Sequence, residues 1–102
     1  MISIGISVEL PVGYAGLIFA RSGLASKRGL APANKVGVVD SDYRGEWFIP
    51  MHNHSEVPQV IEPGERIVQL IITPSLTAEF MESDTLSETA RGAGGFGSTG
   101  DK

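Results

Sequence analysis

The feature that most constrains this chain is the shortness of its apolar runs. "ISIGISVEL" alternates, with Ile2, Ile4, Ile6, Val8 and Leu10 on one face, and "PVG" breaks it. "YAGLIFA" is a second run, and "VGVV" and "EWFIPMH" flank "DSDYRG" as in a hairpin. "VPQVI" ends at the Pro-Gly turn of "EPGE", and "RIVQLIIT" follows, apolar on both faces as in a strand covered on both sides. Many short runs cut by turn residues predict an all-β barrel or sandwich. One piece departs from the pattern. "SGLASKRG" predicts a short helix, with Ser22 as its N-cap and Gly29 just past its end.

With 102 residues the chain reads as one domain. A chain of this size buries about 65% of its extended-chain surface. Apolar content collapses from Ser83 onward, so residues 1–82 are expected to form a core and 83–102 an arm. There is no cysteine, hence no disulfide framework and no thiolate metal site, which points toward an intracellular setting. No apolar run approaches membrane-spanning length, and no charged-then-apolar leader opens the sequence. A net charge of −4 argues against general binding to nucleic acid or to anionic membranes. An anionic ligand must then meet locally arranged donors.

Five stretches call for a chemical reading. In "RSGLA", Arg21 to Ala25, a strand end meets a helix start. That gathers free N–H groups, a hydroxyl and a guanidinium, which make either an anion site or a plain capped turn. "NKVGVVDSDYRGE" places Asp40, Ser41, Asp42 and Tyr43 at a tip. This is a loop of turn formers, a carboxylate set to hold and deprotonate a water, or a pair of acids for a divalent cation. Spacing alone leaves the three open. In "GERIVQLII" the polar residue expected inside is Gln69, and a buried amide needs partners. "HNH" spaces His52 and His54 on one strand face, as a surface pair or as half of a zinc set that no Cys or acid completes before Glu56.

The fifth stretch, "RGAGGFGSTG", is half glycine and cannot pack by itself. It lacks the Lys-Ser/Thr ending of a phosphate-binding Walker loop. A flexible linker would explain the glycines but has no need of Arg91 and Phe96. Backbone N–H groups, Ser98 and Thr99 suit phosphate, Arg91 adds charge, and Phe96 offers a face to a base. Such an arm orders when a ligand supplies its missing contacts.

In this order, "RSGLA", "GVVDSDYRGE", "GERIVQLII" and "RGAGGFGSTG" resemble four of the five motifs of the homotrimeric dUTP pyrophosphatase (dUTPase) family. The resemblance runs from about Ile4 to Gly100. It implies an all-β, distorted jelly-roll barrel of β-clip type with one short helix and a flexible C-terminal arm. It implies a trimer whose three sites lie between subunits, each closed by a neighbour's arm. The activity implied is hydrolysis of dUTP to dUMP and pyrophosphate, with Mg²⁺ and with no nucleic-acid or membrane partner. Arg21, Ser22 and Gly23 then resemble the phosphate turn. Asn34 and the backbone of Gly37, Val38 and Val39 resemble the uracil contacts. Asp40 resembles the carboxylate that positions the attacking water, and Tyr43 the ring under deoxyribose. Phe48 falls on the pocket wall, and Gln69 resembles the phosphate-side glutamine. Arg91 resembles the γ-phosphate contact, Phe96 the lid over uracil, and Gly97, Ser98 and Thr99 further phosphate donors.

The family's remaining motif resembles Ala-Gly-Tyr-Asp-Leu and lies upstream of the strand in which Met1 already stands. Its Asp helps hold magnesium through water. From the residues present, the ion is expected on substrate phosphates and water, with no direct protein ligand. Three other readings are distinguishable. A dCTP deaminase shares the fold and releases ammonia. A nucleotide-binding regulatory module binds tightly without turnover. A structural domain of a larger polyprotein does neither.

Overall fold

A computed structural model describes residues 1–97. Seven strands and one helix follow one another: β1 (Ile2–Ser3), β2 (Tyr14–Ala20), α1 (Ser22–Arg28), β3 (Leu30–Pro32), β4 (Gly37–Val39), β5 (Phe48–Ile49), β6 (Met51–Asn53) and β7 (Val68–Pro74). They form three antiparallel sheets, in the orders β1-β5, β4-β2-β7 and β3-β6. The all-β class with one short helix is as the sequence predicts. The sheets stay open and do not close into a barrel, an arrangement consistent with a jelly roll.

β2 is central because it pairs along both edges, Gly16 opposite Val39 on one side and Ile72 on the other. Gly16 is needed there: a Cβ would stand 3.2 Å from the Leu70 Cδ1 and 3.5 Å from the Val39 Cβ. Ile18, Trp47, Ile49 and Ile67 form the buried core, with Ile2, Ile4, Val39 and Met51 packed against it. Ile49 is 1% exposed and Trp47 4%.

Several expectations are corrected. The first run is regular only over β1, because Gly5 takes φ +73° and breaks the ladder. The segment still follows the Trp47 backbone through the bonds Ile4 N–H to Trp47 O (3.1 Å) and Trp47 N–H to Ile6 O (2.9 Å). The hairpin around DSDYRG does not form: β4 pairs with β2, whereas β5 pairs with β1. Trp47 and Ile49 drive this, since burying them carries the chain away from β4 and across to the first strand. The helix N-cap is Arg21, in extended conformation and with no side-chain cap bond, and Ser22 is the first helical residue. Gly29 caps the end as expected, at φ +67°, its N–H reaching the Ala25 and Leu24 carbonyls.

β7 is only partly covered within one chain, where Val68 packs against the core. Leu70 is 43% exposed, and Ile71 and Ile72 are each 52% exposed. Gln69 is likewise exposed rather than interior. Residues 75–97 hold no helix or strand, and Leu76, Phe80, Met81 and Leu86 stand in solvent. The radius of gyration is accordingly 19.1 Å, against about 13 Å for a compact domain of this length.

Candidate active site

Two adjoining cavities open beside β4. The larger, about 260 Å³, includes Val38, Val39, Asp40, Tyr43, Trp47 and Phe48 in its lining. The smaller, about 100 Å³, adds Asn34, Gly37, Pro32 and Pro50 and shares Ile18, Val38, Val39 and Phe48 with the first. β4 is an edge strand, paired with β2 on one side alone. Its outer backbone groups are therefore not committed to a ladder. Gly37 lets the chain close up, since a Cβ would lie 3.4 Å from Asn34 Nδ2 and 3.3 Å from the Ile18 Cβ. The tight bend from Pro32 to Val36 puts Lys35 at φ +69°, with its N–H bonded to the Pro32 carbonyl at 3.1 Å. A non-glycine residue is uncommon in that conformation. The bend sets Asn34 at one end of the strand, and Asp40 stands at the other.

After Asp40 the loop is held by its own polar groups. The Tyr43 N–H reaches the Asp40 carbonyl at 3.2 Å, and the Tyr43 hydroxyl donates to the Glu46 carbonyl at 2.8 Å. Arg44 donates to the Ser41 carbonyl at 2.6 Å and to Glu9 at 3.1 Å.

A separate cavity of about 320 Å³ is lined by Arg21, Ser22, Gly23, Leu24 and Gln69. β2 ends here, the helix starts here, and β7 passes alongside. The Gln69 amide donates to the Ala20 carbonyl at 2.8 Å, which fixes its side chain at the strand end. The far end of the helix is tied down as well. Arg28 donates to Glu65, to Gln59 and to the Val60 carbonyl. The Glu65 carboxyl is held below the usual range, first by the Glu62 N–H and then by Arg28.

One chain thus gathers Asn34, Gly37, Val38, Val39, Asp40, Tyr43 and Phe48 in one place, and Arg21, Ser22, Gly23 and Gln69 in another. The two sets share no lining residue. Arg91, Phe96 and Gly97 line none of these cavities. Arg91 donates to the Gly94 carbonyl of its own arm, and Phe96 is fully exposed. Ser98 and Thr99 lie outside the described residues.

A family model described as dUTPase matches residues 1–100. The chain belongs to the dUTPase family. It is 54% identical over 97 residues to a deoxyuridine 5'-triphosphate nucleotidohydrolase of Desulfitobacterium hafniense, covering 94% of this chain and 64% of that protein. It is 47% identical over 102 residues to the one of Maricaulis maris, covering 100% of this chain and 67% of that protein. The dUTPase of Staphylococcus bacteriophage 80alpha, solved with dUpNHpp, superposes with TM-score 0.75 at 30% identity, covering 93% of this chain and 72% of that one. The Streptococcus mutans dUTPase superposes with TM-score 0.71 at 34% identity, covering 76% and 66%. The chain therefore spans about two thirds of the length of these dUTPases.

Some residues around the cavities beside β4 carry no signal in sequence. Ile18, Trp47, Pro32 and Pro50 read as core or turn, yet they shape the cavities beside β4. Gly45 reads as part of a turn, yet it packs directly against Tyr43. His52 and His54 stack edge to face with ring centroids 4.3 Å apart, and partial shielding from water, then the charges of His52 and Lys35, lower the His54 pKa. Among the described residues no three His, Asp or Glu gather as a metal ligand set, and no helix is long and apolar enough to cross a membrane.

Proposed function

We propose that this chain hydrolyses dUTP to dUMP and pyrophosphate, in sites shared between the subunits of a homotrimer. The observation that carries the reading is the free edge of β4, with Asn34 at one end and Asp40 at the other, facing two adjoining cavities. An uncommitted strand edge plus a side-chain amide can match the donor and acceptor pattern of uracil. A site built for such a pattern rejects the wrong base strongly.

Asp40 takes a proton from water. The water oxygen attacks the α-phosphorus in line, the bond to the bridging oxygen breaks, and pyrophosphate leaves. Tyr43 packs under the deoxyribose, and Phe48 continues the wall. Arg21, Ser22, Gly23 and Gln69 bind phosphate from a second subunit. The arm adds Arg91 on the γ-phosphate, Phe96 over the base, and Gly97, Ser98 and Thr99 as further donors. Residues 1–82 serve as the core and 83–102 as the arm.

Asp40 also lines a further cavity with Ser41 and Asp42, whose oxygen atoms would suit a hard cation held through water. Magnesium carried by the triphosphate would offset phosphate charge there. The substrate is an intracellular metabolite, so we place the protein inside the cell.

The test follows products from dUTP, dCTP and UTP. The expected result is dUMP and pyrophosphate from dUTP, with no ammonia from dCTP. Asp40→Asn should lower turnover about 10²–10⁴-fold while an unhydrolysed dUTP analogue still binds. Ammonia from dCTP would make the chain a deaminase, and tight binding without turnover would make it a regulatory module.

A further inference from the structure

Gly45 lies two residues after Tyr43 and is half-buried beneath it. A Cβ built on Gly45 would stand 2.5 Å from the Tyr43 hydroxyl oxygen, 2.6 Å from Cζ and 3.0 Å from Cε1. Real Cβ atoms do not sit this close, so the hydroxyl end of the ring rests against the Gly45 backbone because nothing projects there. The glycine is not explained by backbone conformation, since it is absent from the residues of positive φ. The ring is held in that place by one bond, from its hydroxyl to the Glu46 carbonyl at 2.8 Å. Its other surroundings are the cavity shared with Val38, Val39, Asp40 and Phe48.

We propose that Gly45 is the positioning residue for sugar selection: it supplies the floor on which Tyr43 lies, and so sets the height of the ring under the ribose. This rests on the reading of Tyr43 as the contact to deoxyribose. A methyl group at position 45 meets the outer end of a side chain that can swing, not backbone. The ring therefore lifts toward the cavity, releases Glu46, and changes the space where a 2′-hydroxyl would stand. The fold need not change, because the displaced ring is already half-exposed.

The experiment compares wild type, Gly45→Ala, Tyr43→Ala and the double variant. For each, affinity is measured for non-hydrolysable analogues of dUTP and of UTP, so no turnover is required, and a crystal structure of Gly45→Ala locates the ring. Leaving a hydroxyl without a partner sets the wild-type preference for the deoxy analogue at about 10- to 100-fold. Gly45→Ala should lose most of that ratio, with the Tyr43–Glu46 bond broken in its structure. In the Tyr43→Ala background the same change should do nothing further. A wild-type ratio in Gly45→Ala, an unmoved ring, or an equal shift without the ring would overturn the proposal. If Tyr43→Ala itself keeps the ratio, the sugar reading falls instead. The ring position in Gly45→Ala still decides whether position 45 sets its height.

Discussion

Ile49 is the most deeply buried apolar side chain of the core, and it sits on the strand that leads out of the loop bearing Asp40 and Tyr43. Ile49→Ala should lower the unfolding free energy by about 2–5 kcal/mol in urea denaturation. A change below about 1 kcal/mol would show that this strand is not part of the cooperative core. Single residues differ in how far the sequence shows their place. Asp40 was legible because a polar turn former after an apolar run marks a strand end whatever the strand pairs with, whereas Asn34 stood out only through the family resemblance. Gln69 reads as interior because its neighbours are apolar, yet within one chain it, Leu70, Ile71 and Ile72 are exposed. Trp47 was hidden differently. It reads as generic core, and its buried indole N–H finds no hydrogen-bond partner, which no periodicity reveals. Gly45 was invisible because its role is a contact with a ring, and contacts have no period.

Among the elements, α1 shows how a helix too short to stand alone is kept. Seven residues are marginal in water, and its basic last turn is tied by Arg28 to the turn at Glu62–Glu65, where Glu65 N–H reaches the Glu62 carbonyl at 3.1 Å. That turn leads into β7 and so to Gln69. Glu65 has its carboxyl pKa lowered in the fold from an ordinary 4.5. Its contribution is therefore complete above that value and is lost as pH falls through the lower folded one. His54, also lowered, from 6.5, acts with the same sign: stability is lost as pH falls through its folded value. Glu65→Gln should flatten the acid side of the stability curve below about pH 4.5, followed by thermal melts across pH. An unchanged acid slope would rule out the tie. The strands β2, β4 and β7 were legible as short apolar runs bounded by turn residues. The DSDYRG hairpin was not, because both flanking runs suit pairing and only the burial of Trp47 and Ile49 decides which partner each takes.

For the whole molecule, one chain keeps apart residues that the proposed chemistry needs together. The exposed Leu70, Ile71 and Ile72 of β7 also leave a face that a soluble monomer would not be expected to show. Sedimentation should therefore give a trimer, and a stable active monomer would contradict it. Removing residues 83–102 should cut turnover far more than it moves the melting temperature, because the described part of that segment packs on nothing. A large drop in melting temperature with unchanged kinetics would show that the arm is structural. This scale was the least legible from sequence, since a pattern within one chain does not say which copy answers it. The most direct measurement mixes two crippled proteins. Asp40→Asn and Arg21→Ala are refolded together and assayed on dUTP at fixed total protein. If each site takes Asp40 from one subunit and Arg21 from another, the mixture contains intact sites and is far more active than either variant. Activity no greater than that of the two variants assayed separately would contradict the shared site.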